Sequence, residues 1–211
     1  MDELILLINA FADYQKSHTA VTATDFCRHF MATMSTTQPP SFDPALARIA
    51  PLSHDASFIR TISRLTAAYN LYLRIGLRAT SLVNQERFNL LAATNLLGES
   101  RKTDIINYAL IEISTGSEIL NRLAEDGLIS ERVDPADKRS RLVRITEKGK
   151  EALQQGFNQS TLALQILLQN FPDEDKKLCI QLLHPLEVRH SGIAVENRNK
   201  SLAEILAVVT P

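Results

Sequence analysis

The 211-residue chain has no tryptophan, two cysteines and seven glycines, and each scarcity closes a class of function. Cys27 and Cys179 lie far apart and form no Cys-x-x-Cys unit, so neither a thiolate metal site nor a redox pair is expected. His18, His29, His54, His184 and His190 include no pair at metal-ligand spacing. The few glycines make no phosphate-cradling loop. No metal and no cofactor are therefore expected, and the chain does not read as an enzyme. Long apolar runs are missing too, since none approaches the ~18 residues of a membrane span. Asp2 and Glu3 precede the short run Leu4 to Ile8, where a signal peptide would carry basic residues, and a cytoplasmic setting is expected. Charge of one sign is also lacking: 23 Lys+Arg stand against 24 Asp+Glu, a net charge of −1. That balance argues against a broadly basic face but leaves a local one open.

What is present is an ordinary globular composition, 45% hydrophobic and 22% charged. Pro39, Pro40, Pro44 and Pro51 mark residues 35–54 as a linker. Before it, residues 1–34 read as a helical extension for accessory dimerisation, packed on the terminal helices. Leu4, Leu7, Ile8 and Phe11 form one stripe there, and Phe26, Phe30 and Met34 form a second behind a cap at Thr24. After the linker, Phe58, Ile62, Leu65, Tyr69 and Tyr72 predict a long helix over Ser57 to Leu82, fit for a core or a seam between two chains.

Residues 84–146 carry the densest information. One helix holds Phe88, Leu91 and Ala92 and stops at Gly98; a second, capped by Ser100, holds Ile105, Ile106 and Ala109. A third runs from Ser114 to Asp126. Its Gly116, Ile119, Leu120 and Leu123 share one side, and Ser114, Ser117, Glu118, Asn121, Arg122 and Glu125 the other. Strands at Leu128 to Val133 and Ser140 to Ile145 flank Asp134-Pro135-Ala136-Asp137, a type I turn sequence. Three helices and a hairpin make a winged helix-turn-helix, and short polar side chains on the third helix suit phosphate and base-edge contacts. From Glu131 to Lys150 seven basic residues face four acids, a local +3. Asp134 and Asp137 are expected to order the hairpin tip by pairing with Arg139 or Arg141. Thr146 caps a helix bearing Leu153, Phe157 and Leu164, and the next, from Pro172, is expected to bury Leu178, Ile180, Leu182 and Leu183 and halt at Pro185. Leu202, Ile205 and Leu206 suggest one last short helix.

These motifs resemble the MarR family of bacterial winged-helix transcriptional regulators over roughly Ser57 to Leu183. The resemblance is carried by Glu118-Ile119-Leu120-Asn121-Arg122-Leu123-Ala124-Glu125-Asp126-Gly127-Leu128-Ile129, then Asp134-Pro135-Ala136-Asp137-Lys138-Arg139-Ser140, and Leu142-Val143-Arg144-Ile145-Thr146-Glu147-Lys148-Gly149. It implies a mainly α fold: a winged helix-turn-helix at 84–146 with a two-stranded wing, a helical dimerisation region at 55–82 and 147–186, and a tail at 187–211. It further implies a homodimer on a pseudo-palindromic DNA site, acting as a transcriptional regulator and expected to repress. Ser114, Thr115, Ser117, Glu118, Asn121 and Arg122 match the recognition-helix positions, and Lys102, Thr103, Lys138, Arg139 and Arg141 join them as expected DNA contacts. Glu118 departs from the Ser/Arg-rich pattern; it either selects cytosine N4 or merely pairs with Arg122. Leu4, Leu7, Phe11, Phe58, Ile62, Leu178 and Leu182 are the expected dimer contacts. Family members commonly answer to small phenolic or lipophilic effectors, for which Tyr69, Tyr72 and Phe88 are candidate contacts. Some relatives sense peroxide through a cysteine, a role that Cys27 beside Arg28 fits less well than an inert thiol. A winged-helix interaction module without DNA binding is the rival reading, kept open by the acids Glu118 and Glu125.

Overall fold

The structure is a computed structural model, and it describes residues 2–18, 22–34, 53–137 and 140–210. The prolines of the expected linker, and Lys138 and Arg139 of the hairpin, lie outside the described residues. The chain divides into two compact units, residues 1–58 and 59–211.

The first unit holds α1 (Asp2–Ser17) and α2 (Ala23–Met34). Aromatic rings join them: Phe11 meets Phe26 edge-on at 4.9 Å, and Tyr14 and Phe26 are buried. The cap of α2 is Thr22 rather than the expected Thr24. The Thr22 hydroxyl accepts from the Asp25 N–H at 3.1 Å and donates to the Asp25 carboxylate at 2.6 Å, so the three-residue spacing to Asp25 decides the start. Leu4 and Leu7 are exposed.

The long helix α3 (His54–Leu77) begins in the first unit and continues into the second. It stops five residues before the expected Leu82. The Thr80 hydroxyl and N–H both take the Leu77 carbonyl, at 2.8 and 2.9 Å, and the chain then turns through Val83 at φ 62°. Leu82 is thereby freed to plug the core. Of the stripe on α3, Phe58 and Leu65 are exposed and Ile62 half-buried, whereas Tyr69 and Tyr72 pack on the core.

α4 (Gln85–Leu97) is capped by Asn84 and ends at Gly98, whose φ of 68° suits glycine. Ser100 and Arg101 form β1, where a cap was expected, and α5 (Lys102–Tyr108) follows directly without a side-chain cap. α6 (Ile113–Glu125) leads through Gly127 into β2 (Ile129–Val133) and β3 (Arg141–Ile145). The sheet is three-stranded and antiparallel in the order β1-β3-β2, with Ser100 opposite Val143 and Glu131 also opposite Val143 on the other edge. The expected two-stranded wing thus gains a short edge strand, which anchors the base of the hairpin to the helices.

Thr146 caps α7 (Glu147–Leu167), accepting from the Gly149 N–H at 3.0 Å. The core lies among α4, α5, α6, the sheet and the start of α7, with Leu90, Leu91, Ile105, Ile106, Leu120, Leu123 and Val143 sealed from solvent. α8 (Asp173–Glu196) does not halt at Pro185 but runs through it. Proline supplies a helical φ, and the Gln181 carbonyl that loses its donor belongs to an exposed residue, open to solvent. Nor does α8 bury its apolar residues: Ile180, Leu182, Leu186 and Val188 are exposed, while Leu178 and Leu183 are half-buried. α9 (Leu202–Val209) starts in a capping box between Ser201 and Glu204, and Arg189 donates back to the Val209 carbonyl at 3.2 Å. No described helix is long and apolar enough to cross a membrane.

Candidate nucleic-acid interface

α5 and α6 approach closely because Gly116 faces Ile106. A Cβ at Gly116 would fall 2.7 Å from an Ile106 side-chain carbon, a contact no larger residue tolerates unmoved. Leu110, at φ 53°, makes the sharp connection, and the Ile111 N–H returns to the Ile106 carbonyl at 3.3 Å. With Gly116, Leu120 and Leu123 buried, Ser114, Thr115, Glu118, Asn121 and Arg122 are all exposed on the opposite side, and Ser117 is half-buried. The helical wheel drawn from sequence therefore holds. One side of α6 belongs to the core and the other is a polar face.

The wing is framed by backbone bonds. Asp137 N–H donates to the Asp134 carbonyl at 3.2 Å, as a four-residue turn requires, and Asp134 N–H donates to the Ser140 carbonyl at 3.0 Å. Among the described residues the buried carboxylate of Asp134 pairs with Arg101 and not with Arg141, while Arg139 lies outside the described residues. The carboxylate accepts from Arg101, at 2.9 and 3.1 Å, and from the Ala136 N–H at 2.9 Å. These bonds, the Ala136 N–H first and the Arg101 guanidinium second, hold its carboxyl below the ordinary aspartate value. Asp137 accepts from the Ser140 hydroxyl at 2.7 Å. The partner of Asp134 was invisible in the sequence because Arg101 sits 33 residues upstream, on the edge strand that pairing rules alone did not reveal.

Several of the basic residues are engaged within the protein. Lys102 pairs with Glu131 at 2.6 Å and also donates to Asn121 Oδ1 at 2.7 Å. Arg132 pairs with Glu99, and that guanidinium bond holds the Glu99 carboxyl low. Arg141 lies 4.0 Å from Glu131 and remains exposed. Arg122 and Glu118 pair at 2.5 Å along α6, the second of the two roles foreseen for Glu118. Thr103 is exposed beside Lys102. The expected contacts on α5, α6 and β3 thus fall on one winged-helix scaffold. Lys102 and Ser117 are the two among them that are partly buried, the Lys102 side chain being about one-fifth exposed.

The expected effector contacts are placed differently. Phe88 is buried and stacks edge-on with Phe157, while the Tyr69 hydroxyl lies 2.9 Å from the Ser160 hydroxyl. An open hollow of about 360 Å³ lies nearby, lined by Asn89, Ala92, Asn95, Leu96, Tyr108 and Phe157 among others. Cys27 and Cys179 are both exposed free thiols.

Comparison with known proteins agrees with this geometry. A family model described as a winged helix DNA-binding domain matches residues 92–149. An uncharacterised HTH-type transcriptional regulator of Bacillus subtilis, YdgJ, is 25% identical over 114 residues, covering 54% of this chain and 70% of that protein. The HTH-type transcriptional repressor IacR of Pseudomonas putida is 40% identical over 63 residues, covering 30% of this chain and 38% of that one. Among solved structures, the transcriptional regulator SlyA superposes with a TM-score of 0.57 at 19% identity, over 64% of this chain and 94% of that chain. BpsR of Bordetella bronchiseptica, whose DNA binding is regulated by 6-hydroxynicotinic acid, gives 0.57 at 18% identity, over 62% and 98%. MarR of E. coli gives 0.54 at 19%, over 60% and 94%.

Proposed function

We propose that the chain is a DNA-binding transcriptional regulator that works as a homodimer on a pseudo-palindromic operator and represses; its match to a winged helix DNA-binding domain over residues 92–149 and its fold, shared with MarR structures, support this. The observation that carries this reading is the polar outer face of α6, backed by a buried inner face and flanked by a wing whose base is locked through Arg101 and Asp134. Ser114, Thr115, Ser117, Asn121 and Arg122 would enter a major groove, and Lys138, Arg139 and Arg141 would reach backbone or minor groove from the wing. The exposed apolar residues of α1, α3 and α8, among them Leu4, Leu7, Phe58 and Leu182, support a second copy as partner, and the half-buried Phe11, Ile62 and Leu178 are assigned to it as well. No catalytic role is assigned to any residue.

Two dimer states differ in the spacing of their α6 helices, and only one matches successive grooves. A small phenolic or lipophilic effector acts by preferring the other. The hollow beside Tyr108 and Phe157 suits it better than Tyr69, Tyr72 and Phe88, which are already packed. A gel shift on DNA upstream of the protein's own coding sequence, at two or more salt concentrations, tests the central reading. Sharp, salt-sensitive binding is expected, and absence of binding at low salt favours the interaction module. Arg139→Ala is expected to weaken binding to all sequences and to reduce the salt slope by about one. An unchanged slope removes Arg139 from the contact set.

A further inference from the structure

We propose that Lys102 is a positioning residue that decides which base edge Asn121 reads. The inference rests on the reading of α6 as the groove-entering helix. Asn121 projects from its exposed face, and Lys102 opens α5. The Lys102 ammonium lies 2.7 Å from Asn121 Oδ1 and 2.6 Å from Glu131 Oε1 on β2, so it joins recognition helix and wing. Both Lys102 and Glu131 are about four-fifths buried.

A lysine ammonium has donors and no acceptor, so the Asn121 atom that meets it is the oxygen and not the nitrogen. The amide is therefore fixed in one of its two orientations, with Nδ2 turned away from α5. A free asparagine reads adenine side-on, accepting from N6 while donating to N7, which needs oxygen and nitrogen abreast of the base edge. Here the oxygen is held on a cation that is itself held by Glu131. Asn121 then offers the groove a donor, and its matching partners are acceptors: guanine O6 or N7, or thymine O4. Glu131 keeps Lys102 at this post by neutralising it, and a lysine so paired is not a phosphate contact. The residue expected from sequence to touch DNA instead aims one that does.

Binding-site selection from a randomised operator library, with wild type, Lys102→Met, Glu131→Gln and Asn121→Ala, tests this. Methionine keeps the apolar stem of the lysine and removes the ammonium. In wild type, the position whose preference Asn121→Ala erases is expected to select guanine or thymine. Lys102→Met is expected to raise adenine there by about fivefold or more, with the other positions unmoved and the salt slope unchanged. Glu131→Gln is expected to shift the same position less, and to steepen the salt slope by about one as Lys102 swings to phosphate; it serves alone if Lys102→Met does not fold. An adenine preference in wild type, no position dependent on Asn121, or an unaltered preference in the folded variants overturns the proposal. Failure of wild type to select any sequence at low salt overturns the DNA-binding reading, and this proposal with it.

Discussion

The winged-helix region and the last two helices contain leucine and isoleucine in similar proportion, yet they dispose of them in opposite ways. Between α4 and the start of α7, Leu90, Leu91, Ile105, Ile106, Leu120 and Leu123 are fully enclosed by their own chain. Along α8 and α9 no residue is buried, and Leu182 and Leu186 stand 49% and 48% exposed. The first region is complete as a single chain; the second behaves as half of something. The difference supports the proposed division of labour, in which a self-sufficient head reads DNA and helices left uncovered by their own chain join a second copy.

The largest effect is expected where that contrast is broken. Leu182→Asp combined with Leu186→Asp removes two half-exposed leucines from each protomer, about 4 kcal/mol over the pair, or roughly a thousandfold in the dimer Kd. Light scattering is expected to show a monomer with an unchanged helical circular dichroism signal, and operator affinity is expected to fall with it. A dimer that survives places the interface elsewhere. Deleting residues 1–34 is the companion measurement: a weakened dimer supports α1 and α2 as an accessory element, and an unchanged one removes them from that role.

Two glycines sharpen the same contrast at an intermediate scale. Gly149 opens α7 where Thr146 reaches back to the Gly127 and Leu128 carbonyls, and a Cβ there would fall 2.0 Å from the Leu128 oxygen. Backbone cannot yield that distance without moving the wing's exit, so Gly149→Ala is expected to cost about 3 kcal/mol in urea unfolding. Gly192 in α8 would place a Cβ in open space. Gly192→Ala is expected to stabilise by about 0.5–1 kcal/mol through helix propensity. A loss of stability or of dimer at Gly192 would show instead that the partner packs closely on that spot.

Much of this is legible in the sequence, because the winged-helix region obeys short-range rules. The two faces of α6, the Asp134-Pro135 turn and the Thr146 cap each follow from spacing within one or two turns of chain. What escaped depends on contacts distant in sequence. β1 has only two residues, too few for any periodicity, and exists because β3 offers it an edge. The Arg101–Asp134 and Lys102–Glu131 pairs rest on that strand placement: two cations from outside the wing occupy two of its acids, while Glu99 from outside neutralises Arg132. Over residues 84–146, nine basic side chains meet ten acidic ones. Among the described residues Arg101, Lys102, Arg122 and Arg132 are each engaged by an acid, so net charge alone does not describe this surface. Pro185 misled for another reason: a proline stop rule weighs the missing donor, and on an exposed helix the freed carbonyl is open to solvent.

The smallest structural effect falls on the recognition face itself, and it separates stability from function most cleanly. Arg122 and Glu118 pair at 2.5 Å, but both side chains are more than half exposed, so the pair is screened and contributes little to the fold. Arg122→Ala is expected to move the unfolding free energy by no more than about 0.5 kcal/mol. If Arg122 leaves Glu118 for a base or phosphate when α6 enters the groove, the same substitution lowers operator affinity by about tenfold or more, as the loss of one charged contact does. Fluorescence anisotropy on the selected operator measures that ratio directly. Equal affinity would mean that Glu118 retains Arg122 in the complex, and that this stretch of α6 is a solvated ion pair facing DNA without reading it.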